Sequence, residues 1–340
     1  MQSHEIDVKY TPKDFDSGEE PRWCPGCGDY AILNAVRQAF SQMGIPKEKF
    51  VIVSGIGCSS RFPYYMNTYG FHGIHGRAPA IATGVKVANP DLSVWVVTGD
   101  GDGLAIGGNH LMHAIRRNVD IKILLFDNRI YGLTKGQYSP TSIVGQETKS
   151  SPYGVIERPM DPVILALSQR ATFVAKVIDT DIKRQIDIFK EAAKHKGTAF
   201  VQIYQNCVVF NDGAFEDFAG KEVRSERLIE LKHGQPMIFG KNLDKGIIVK
   251  DLKPQVVKIG ENGITKDDIT IYDETNYMLN LLVANLHYPE FPETIGIIRR
   301  VREPTYEELL YDQIETAKKK RGEGNIKRLI QANSWEVSPS

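Results

Sequence analysis

No run of roughly 18 apolar residues occurs, so nothing in the chain has the length and character of a membrane-crossing helix. Neither sign of charge is in excess. The 42 Lys and Arg balance 42 Asp and Glu, which removes the electrostatic case for nucleic acid as a partner. The single dense basic run, Lys318 to Arg321, falls on an expected helix and reads as a solvated face. Met1 to Glu20 lacks the basic-then-apolar layout of a secretory leader, so a cytoplasmic protein is expected. Cysteine is scarce as well. Four in 340 residues are too few for a disulfide scaffold, and they remain as ligands, reactive thiols or buried core. Internal repeats and low-complexity tracts are missing too.

What is present is an alternation of strand-like and helix-like segments through the first two-thirds. The length is that of one large domain or two smaller ones, with enough chain for a substantial core. Asp29 can cap a helix whose apolar positions are Ile32, Leu33, Val36, Phe40 and Met43, with Gly44 as its stop. Strands are expected at Phe50 to Ser54, Leu92 to Thr98, Ile121 to Phe126, Phe173 to Ile178 and Ala199 to Tyr204. Helices are expected at Leu104 to Arg117, after Asp161-Pro162, and from Asp181 to Lys196. Short apolar strands separated by helices predict an α/β fold, a parallel sheet with helices on both faces. In such sheets ligands bind beyond the carboxyl ends of the strands. Cys58, Asp100, Asn128 and Cys207 each follow a different expected strand and should share that rim.

The pattern changes near Asn211. Residues 1–210 read as the ligand-binding domain and 211–340 as a C-terminal extension, with short strands at Gly246 to Val249 and Val256 to Ile259. Ile269 to Leu286 and Thr305 to Arg321 look helical.

Cys24-Pro25-Gly26-Cys27 places two thiols where they can face one metal centre. No strand leads into the pair, which excludes a thioredoxin-like redox motif. Cys58 follows 31 positions after Cys27, and Cys207 follows 149 after Cys58. All four thiols can form one site. Spacing alone leaves an iron–sulfur cluster, zinc and buried core as alternatives.

Gly99-Asp100-Gly101-Asp102, with Asn128 28 residues after Asp100, resembles a thiamine-diphosphate fingerprint. A diphosphate needs a divalent cation, and a hard cation wants oxygen ligands. Asp100 offers a carboxylate, Asn128 an amide oxygen and Ile130 its backbone carbonyl, a set suited to Mg2+. Gly101 lets the chain pass close to the phosphates.

The likeness extends further. Trp23 to Gly28, Ile56 to Arg61, His72 to Ala78 and Asn128 to Gln137 resemble the beta subunit of 2-oxoacid:ferredoxin oxidoreductases, over about Arg22 to Val209. That resemblance implies a thiamine-diphosphate-binding fold and a [4Fe–4S] cluster on Cys24, Cys27, Cys58 and Cys207. It further implies cofactor contacts at Ile56, Gly57, Ser59, His75, Gly101, Asp102, Gly132 and Leu133. Arg61 and Lys135 fall where the family reads the substrate's tail, and Thr134 belongs with them. Two cationic residues there favour 2-oxoglutarate over pyruvate. His72, His110 and His113 read as structural. The implied reaction is coenzyme A-dependent decarboxylation of a 2-oxoacid, with electrons passed singly through the cluster to ferredoxin.

Thiamine enzymes also place a carboxylate against the pyrimidine ring, normally from a second domain. The chain shows no duplicate sheet to supply one, so an alpha subunit is expected as partner. Two rival readings are a non-redox thiamine decarboxylase with a zinc site and a non-catalytic electron-transfer subunit. Iron and sulfide content separates the first, and thiamine binding the second.

Overall fold

The computed structural model describes residues 9–338. Residues 1–8 of the polar start lie outside the described residues.

The strands in chain order are β1 (Phe50–Ser54), β2 (Tyr69–His72), β3 (Ser93–Gly99), β4 (Ile121–Asp127), β5 (Phe173–Ile178), β6 (Ala199–Tyr204), β7 (Leu228–Leu231), β8 (Ile238–Phe239), β9 (Lys245–Lys250), β10 (Lys253–Lys258) and β11 (Glu293–Arg300). Eight of them form one sheet in the order β2–β1–β3–β4–β6–β5–β11–β7. Every pairing in it is parallel except β5 with β11. β8, β9 and β10 make a small antiparallel sheet.

β1, β4, β5 and β6 are buried along their whole length, as strands covered on both faces must be. Alternation sends Val51, Val53, Val94, Val96, Ile121 and Ile123 to one face, under helices Ala78–Ala88, Gly108–Arg116 and Pro162–Ser168. Phe50, Ile52, Trp95, Val97, Leu124 and Phe126 take the other, under Asp29–Ser41 and Ile182–Lys194. There Phe40 stacks on Phe50 with 4.1 Å between ring centres. The fold is the α/β arrangement expected, a mostly parallel sheet between helical layers.

Several local expectations differ. The helix expected over Leu104 to Arg117 is two pieces, Asp100–Leu104 and Gly108–Arg116, because Ala105 leaves helical geometry at ψ −105°. The loop carrying Asp100 is therefore itself a helical turn. Gly28, not Asp29, occupies the cap position of the first helix, and Asp29 lies inside its first turn, buried. The helix expected from Ile269 shortens to Tyr277–Ala284. Asn276 caps it through Leu279 N, while Thr270 N and Tyr272 N bond to Ile247 and Gln235 carbonyls.

The stretch 211–340 is tied into the main sheet, since it contributes β7 and β11. Its helix Tyr306–Arg321 starts in a capping box between Thr305 and Glu308. Glu307 in its first turn is buried and accepts from Asp120 N. Beyond that turn Leu309 and Ile314 face solvent, as do Ile326, Leu329 and Ile330 of the short helix Ile326–Gln331.

Because β1, β3, β4 and β6 are neighbours, the segments after them gather at one rim: Gly55 to Cys58, Asp100, Asn128, and Gln205 to Cys207.

Candidate functional site

A cavity of about 440 Å³ opens at this rim. Ile56, Gly57 and Ser59 enter it from β1, and His75 from the loop after β2. Asp100, Gly101 and Asp102 follow β3; Asn128 and Ile130 follow β4. Gly132, Leu133 and Thr134 close one side.

Asp100 is 2% exposed, and its Oδ2 accepts from Ser139 Oγ and Thr141 Oγ1, both at 2.6 Å. Burial, and then the neighbouring Asp127 carboxylate, push its pKa up. A divalent cation in front of it would reverse that balance. Asn128 Oδ1 accepts from Ile130 N at 3.2 Å, and its Nδ2 donates to Gln205 Oε1 at 2.8 Å.

Asp102 has a different part. Its Oδ1 accepts from Ile56 N at 3.0 Å and Gly76 N at 2.6 Å, and lies 2.6 Å from His75 Nδ1. Its Oδ2 accepts from Thr98 Oγ1 at 2.6 Å. The carboxylate pins the β1 and β2 loops to the β3 loop. His75 must carry a proton on Nδ1 to face it, which leaves Nε2 as the free nitrogen.

Residues 131–137 form a closed loop. Tyr131 N donates to Gln137 O at 2.8 Å and Gly136 N to Tyr131 O at 2.9 Å. Thr134 Oγ1 donates to Gln137 Oε1. Tyr131 Oη reaches Gly101 O at 2.8 Å, which ties this loop to the Asp100 turn.

An adjoining cavity of about 210 Å³ is lined by Cys24, Cys27, Cys58 and Cys207 together. Cys24 is exposed and the others half-buried. Burial, followed by the Asp29 carboxylate, pushes the Cys27 thiol far up and the Cys58 thiol up to about 12. Among the described residues no three His, Cys, Asp or Glu side chains converge to hold a single metal ion. Arg61 and Lys135 line this second cavity and not the first. Arg61 Nη1 donates to Arg22 O at 3.1 Å.

Gly132 belongs to both cavities. A Cβ there would lie 3.4 Å from Cys207 Sγ and 3.7 Å from Cys58 Sγ. The distant thiols are held in register by short bonds. Gly28 N donates to Asn206 O at 3.2 Å, and Trp23 Nε1 to Cys58 O at 2.7 Å. His72, His110 and His113 line neither cavity.

Sequence reasoning missed Gln205, Tyr131, Ser139 and Thr141, and misjudged Asp29, whose carboxylate oxygens have no partner. Burial lifts the Asp29 pKa to about 7. Gln205 carried one usable signal, its place directly after a strand that ends at the site.

The sheet and its pair of loops define a thiamine-pyrophosphate-binding domain. Residues 55–203 match the family described as thiamine pyrophosphate enzyme, C-terminal TPP binding domain. The 2-oxoglutarate oxidoreductase subunit KorB of Mycobacterium tuberculosis is 50% identical over 311 residues, 90% of this chain and 82% of that protein. The 2-oxoacid:ferredoxin oxidoreductase subunit beta of Saccharolobus solfataricus is 45% identical over 203 residues, 59% of this chain and 67% of that one. A chain of the solved 2-oxoglutarate:ferredoxin oxidoreductase from Magnetococcus marinus, with 2-oxoglutarate, coenzyme A and succinyl-CoA bound, superposes with a TM-score of 0.77 at 34% identity. That match covers 97% of this chain and 98% of the other. The chain belongs to the 2-oxoacid:ferredoxin oxidoreductase beta-subunit family.

Proposed function

We propose that this chain is the catalytic beta subunit of a coenzyme A-dependent 2-oxoglutarate:ferredoxin oxidoreductase, which converts 2-oxoglutarate to succinyl-CoA and carbon dioxide reversibly. The observation that carries this reading is the shared wall, where Cys58 and Gly132 line both the thiamine-type cavity and the four-thiol cavity. Thiamine diphosphate, when bound, supplies the electron sink that lets a 2-oxoacid lose carbon dioxide.

Asp100, Asn128 Oδ1 and the Ile130 carbonyl suit Mg2+, being hard oxygen donors at one rim. The fit is supported by the place of Asp100, a buried carboxylate on the cavity wall whose Oδ2 is fixed by the Ser139 and Thr141 hydroxyls. Cys24, Cys27, Cys58 and Cys207 would hold a [4Fe–4S] cluster. The four thiols line one cavity, which supports a single centre held by all of them. Gly101 and Gly132 give backbone access, Asp102 fixes the His75 ring, and Leu133 and Thr134 close the cavity wall. Arg61 and Lys135, at the cluster-side end of the joined space, would pair with the distal carboxylate of 2-oxoglutarate. An alpha subunit would bring the pyrimidine-side carboxylate, and ferredoxin would take the electrons, one at a time. Cytoplasmic residence is the expected setting.

The test is anaerobic co-purification with the alpha partner, followed by viologen- or ferredoxin-linked assays with 2-oxoglutarate, pyruvate and branched 2-oxoacids. Coenzyme A-dependent reduction preferring 2-oxoglutarate, with iron and sulfide in the protein, is expected. Zinc in place of iron, or turnover by this chain alone, would overturn the reading. Arg61→Ala should raise KM for 2-oxoglutarate more than for pyruvate; equal effects would remove Arg61 from its role.

A further inference from the structure

Gln205 touches both halves of the site. It is 1% exposed and lies on the wall of each cavity. Its backbone N–H donates to Asp127 O at 2.9 Å, which fixes the main chain against the end of β4. Its side-chain Nε2 donates to Asn206 O at 2.6 Å and to Cys27 Sγ at 3.3 Å. Its Oε1 accepts from Asn128 Nδ2 at 2.8 Å. Both amide hydrogens and one oxygen lone pair are therefore assigned.

The orientation of this amide is dictated by the backbone. Asn206 O can only accept, so the group facing it must be Nε2 and not Oε1. With Nε2 placed, Oε1 faces Asn128, whose amide must then present Nδ2 to it. Asn128 Oδ1 is thereby turned away from Gln205. It takes one bond from Ile130 N and keeps a second lone pair. A single backbone carbonyl sets, through Gln205, which end of Asn128 is available to a cation. The same orientation aims an N–H at Cys27 sulfur. Hydrogen bonds of that kind stabilise the added negative charge of a reduced cluster and so raise its potential.

We propose that Gln205 is a positioning residue that orients Asn128 for the diphosphate-bound cation and at the same time tunes the cluster through Cys27. This rests on the cluster and Mg2+ reading given above. It adds a consequence: the cation site and the redox centre share one rigid amide, so changes at either are felt at the other.

Two variants separate the two tasks. Gln205→Glu keeps an oxygen for Asn128 Nδ2. Whether ionised or protonated, it has no second hydrogen for Cys27 Sγ. Gln205→Leu keeps the bulk and loses both contacts. Each is made in the complex with the alpha partner and checked by circular dichroism. The cluster midpoint is read by EPR-monitored titration, and thiamine diphosphate affinity at fixed Mg2+ by calorimetry.

Gln205→Glu is expected to bind thiamine diphosphate within about threefold of the unaltered protein while its cluster midpoint moves negative. Gln205→Leu is expected to show the same negative movement and also to lose roughly ten- to hundredfold in cofactor affinity, as metal sites do when a supporting partner is removed. If the unaltered complex holds no iron, the reading of the site falls and this inference falls with it. If the cluster is present and the midpoint of a folded Gln205→Glu protein is unmoved, the role of Gln205 alone is refuted. Equal loss of cofactor affinity in both variants refutes the orienting role, because Glu retains the oxygen that Asn128 needs.

Discussion

Gly101→Ala is the sharpest perturbation the site offers. A Cβ at Gly101 would lie 2.2 Å from Tyr131 Cε1, 2.5 Å from Cζ and 2.7 Å from Cδ1. Ordinary carbon contacts begin near about 3.5 Å, so the ring must withdraw by more than about 1 Å. It has little freedom to do so. Tyr131 Oη is bonded to Gly101 O, and the Tyr131 backbone is paired with Gln137 on one side and Gly136 on the other. Overpacking of this kind costs about 1–3 kcal/mol, and losing the Tyr131 hydroxyl bond adds about 1 kcal/mol. A total of roughly 2–4 kcal/mol is expected. The displaced loop carries Gly132 to Lys135, so thiamine diphosphate affinity should fall with stability. The assay is a double-mutant cycle with Tyr131→Ala, read by chemical denaturation and by calorimetric binding. With the ring gone, Gly101→Ala should cost less than about 1 kcal/mol. Equal costs in the two backgrounds would refute the steric account, since the clash requires the ring.

Asp100→Asn in the alpha–beta complex should weaken thiamine diphosphate binding by more than about a hundredfold while leaving the circular dichroism spectrum intact, because it removes the carboxylate expected to face the cation. Binding retained within about tenfold would place the cation elsewhere. Lys176 is fully buried with its Nζ 2.6 Å from Glu293 Oε1, so Lys176→Met should cost about 3–5 kcal/mol in urea denaturation by stranding that carboxylate. A loss below about 1 kcal/mol would show that His287 and the Tyr204 hydroxyl suffice to hold Glu293. Burial alone would lower the His287 pKa, but hydrogen bonds to Asp161 and Glu293 outweigh it and raise the value from 6.5 to about 9. The stability His287 contributes is therefore complete below about pH 6.5 and lost as pH rises through about 9. Glu293 runs the other way. Burial would raise it, but Lys176 and then His287 hold it down from 4.5 to about 2, so its contribution is lost as pH falls through that range. Denaturation midpoints across pH should show both arms, and His287→Gln should abolish the alkaline one; its persistence would assign that arm to another group.

The central strands were legible because each is an unbroken apolar run long enough to fill one buried strand. β1, β5 and β6 have the bounds read from sequence, and β4 differs by one residue. The rim followed from them, since Cys58, Asp100, Asn128 and Cys207 come directly after four strands that are neighbours in the sheet. The outer strands were not legible. β2 is only four residues long, holds a glycine and is exposed at every position, while β11 carries a register shift near Ile297 and a glycine at φ +96°. Asp29 was misread because aspartate suits both the cap and the first turn; the helix begins one residue earlier than expected, with Gly28 at the cap position. Arg61 and Lys135 line one cavity, yet which cavity could not be seen without the loop that Tyr131 closes. Gln205, a neutral amide in a strand-end loop, has no chemical signature until its three partners are in view.

The helix Tyr306–Arg321 has one buried turn, is tied to the body once more where the Tyr311 hydroxyl donates to Val87 O at 2.9 Å, and runs on with its later turns exposed. The turns beyond Tyr311 draw their stability from local sequence: a Glu315–Lys318 pair and a composition rich in glutamate and lysine. A helix of 16 residues held in this way is near the length at which isolated helices are marginal. Its far end should therefore open and close on its own schedule, exchanging amide hydrogens by local fraying while β4 and β6 exchange only when the whole sheet comes apart. The chain thus carries two clocks, a fast one at its tail and a slow one beneath the rim where the chemistry is gathered.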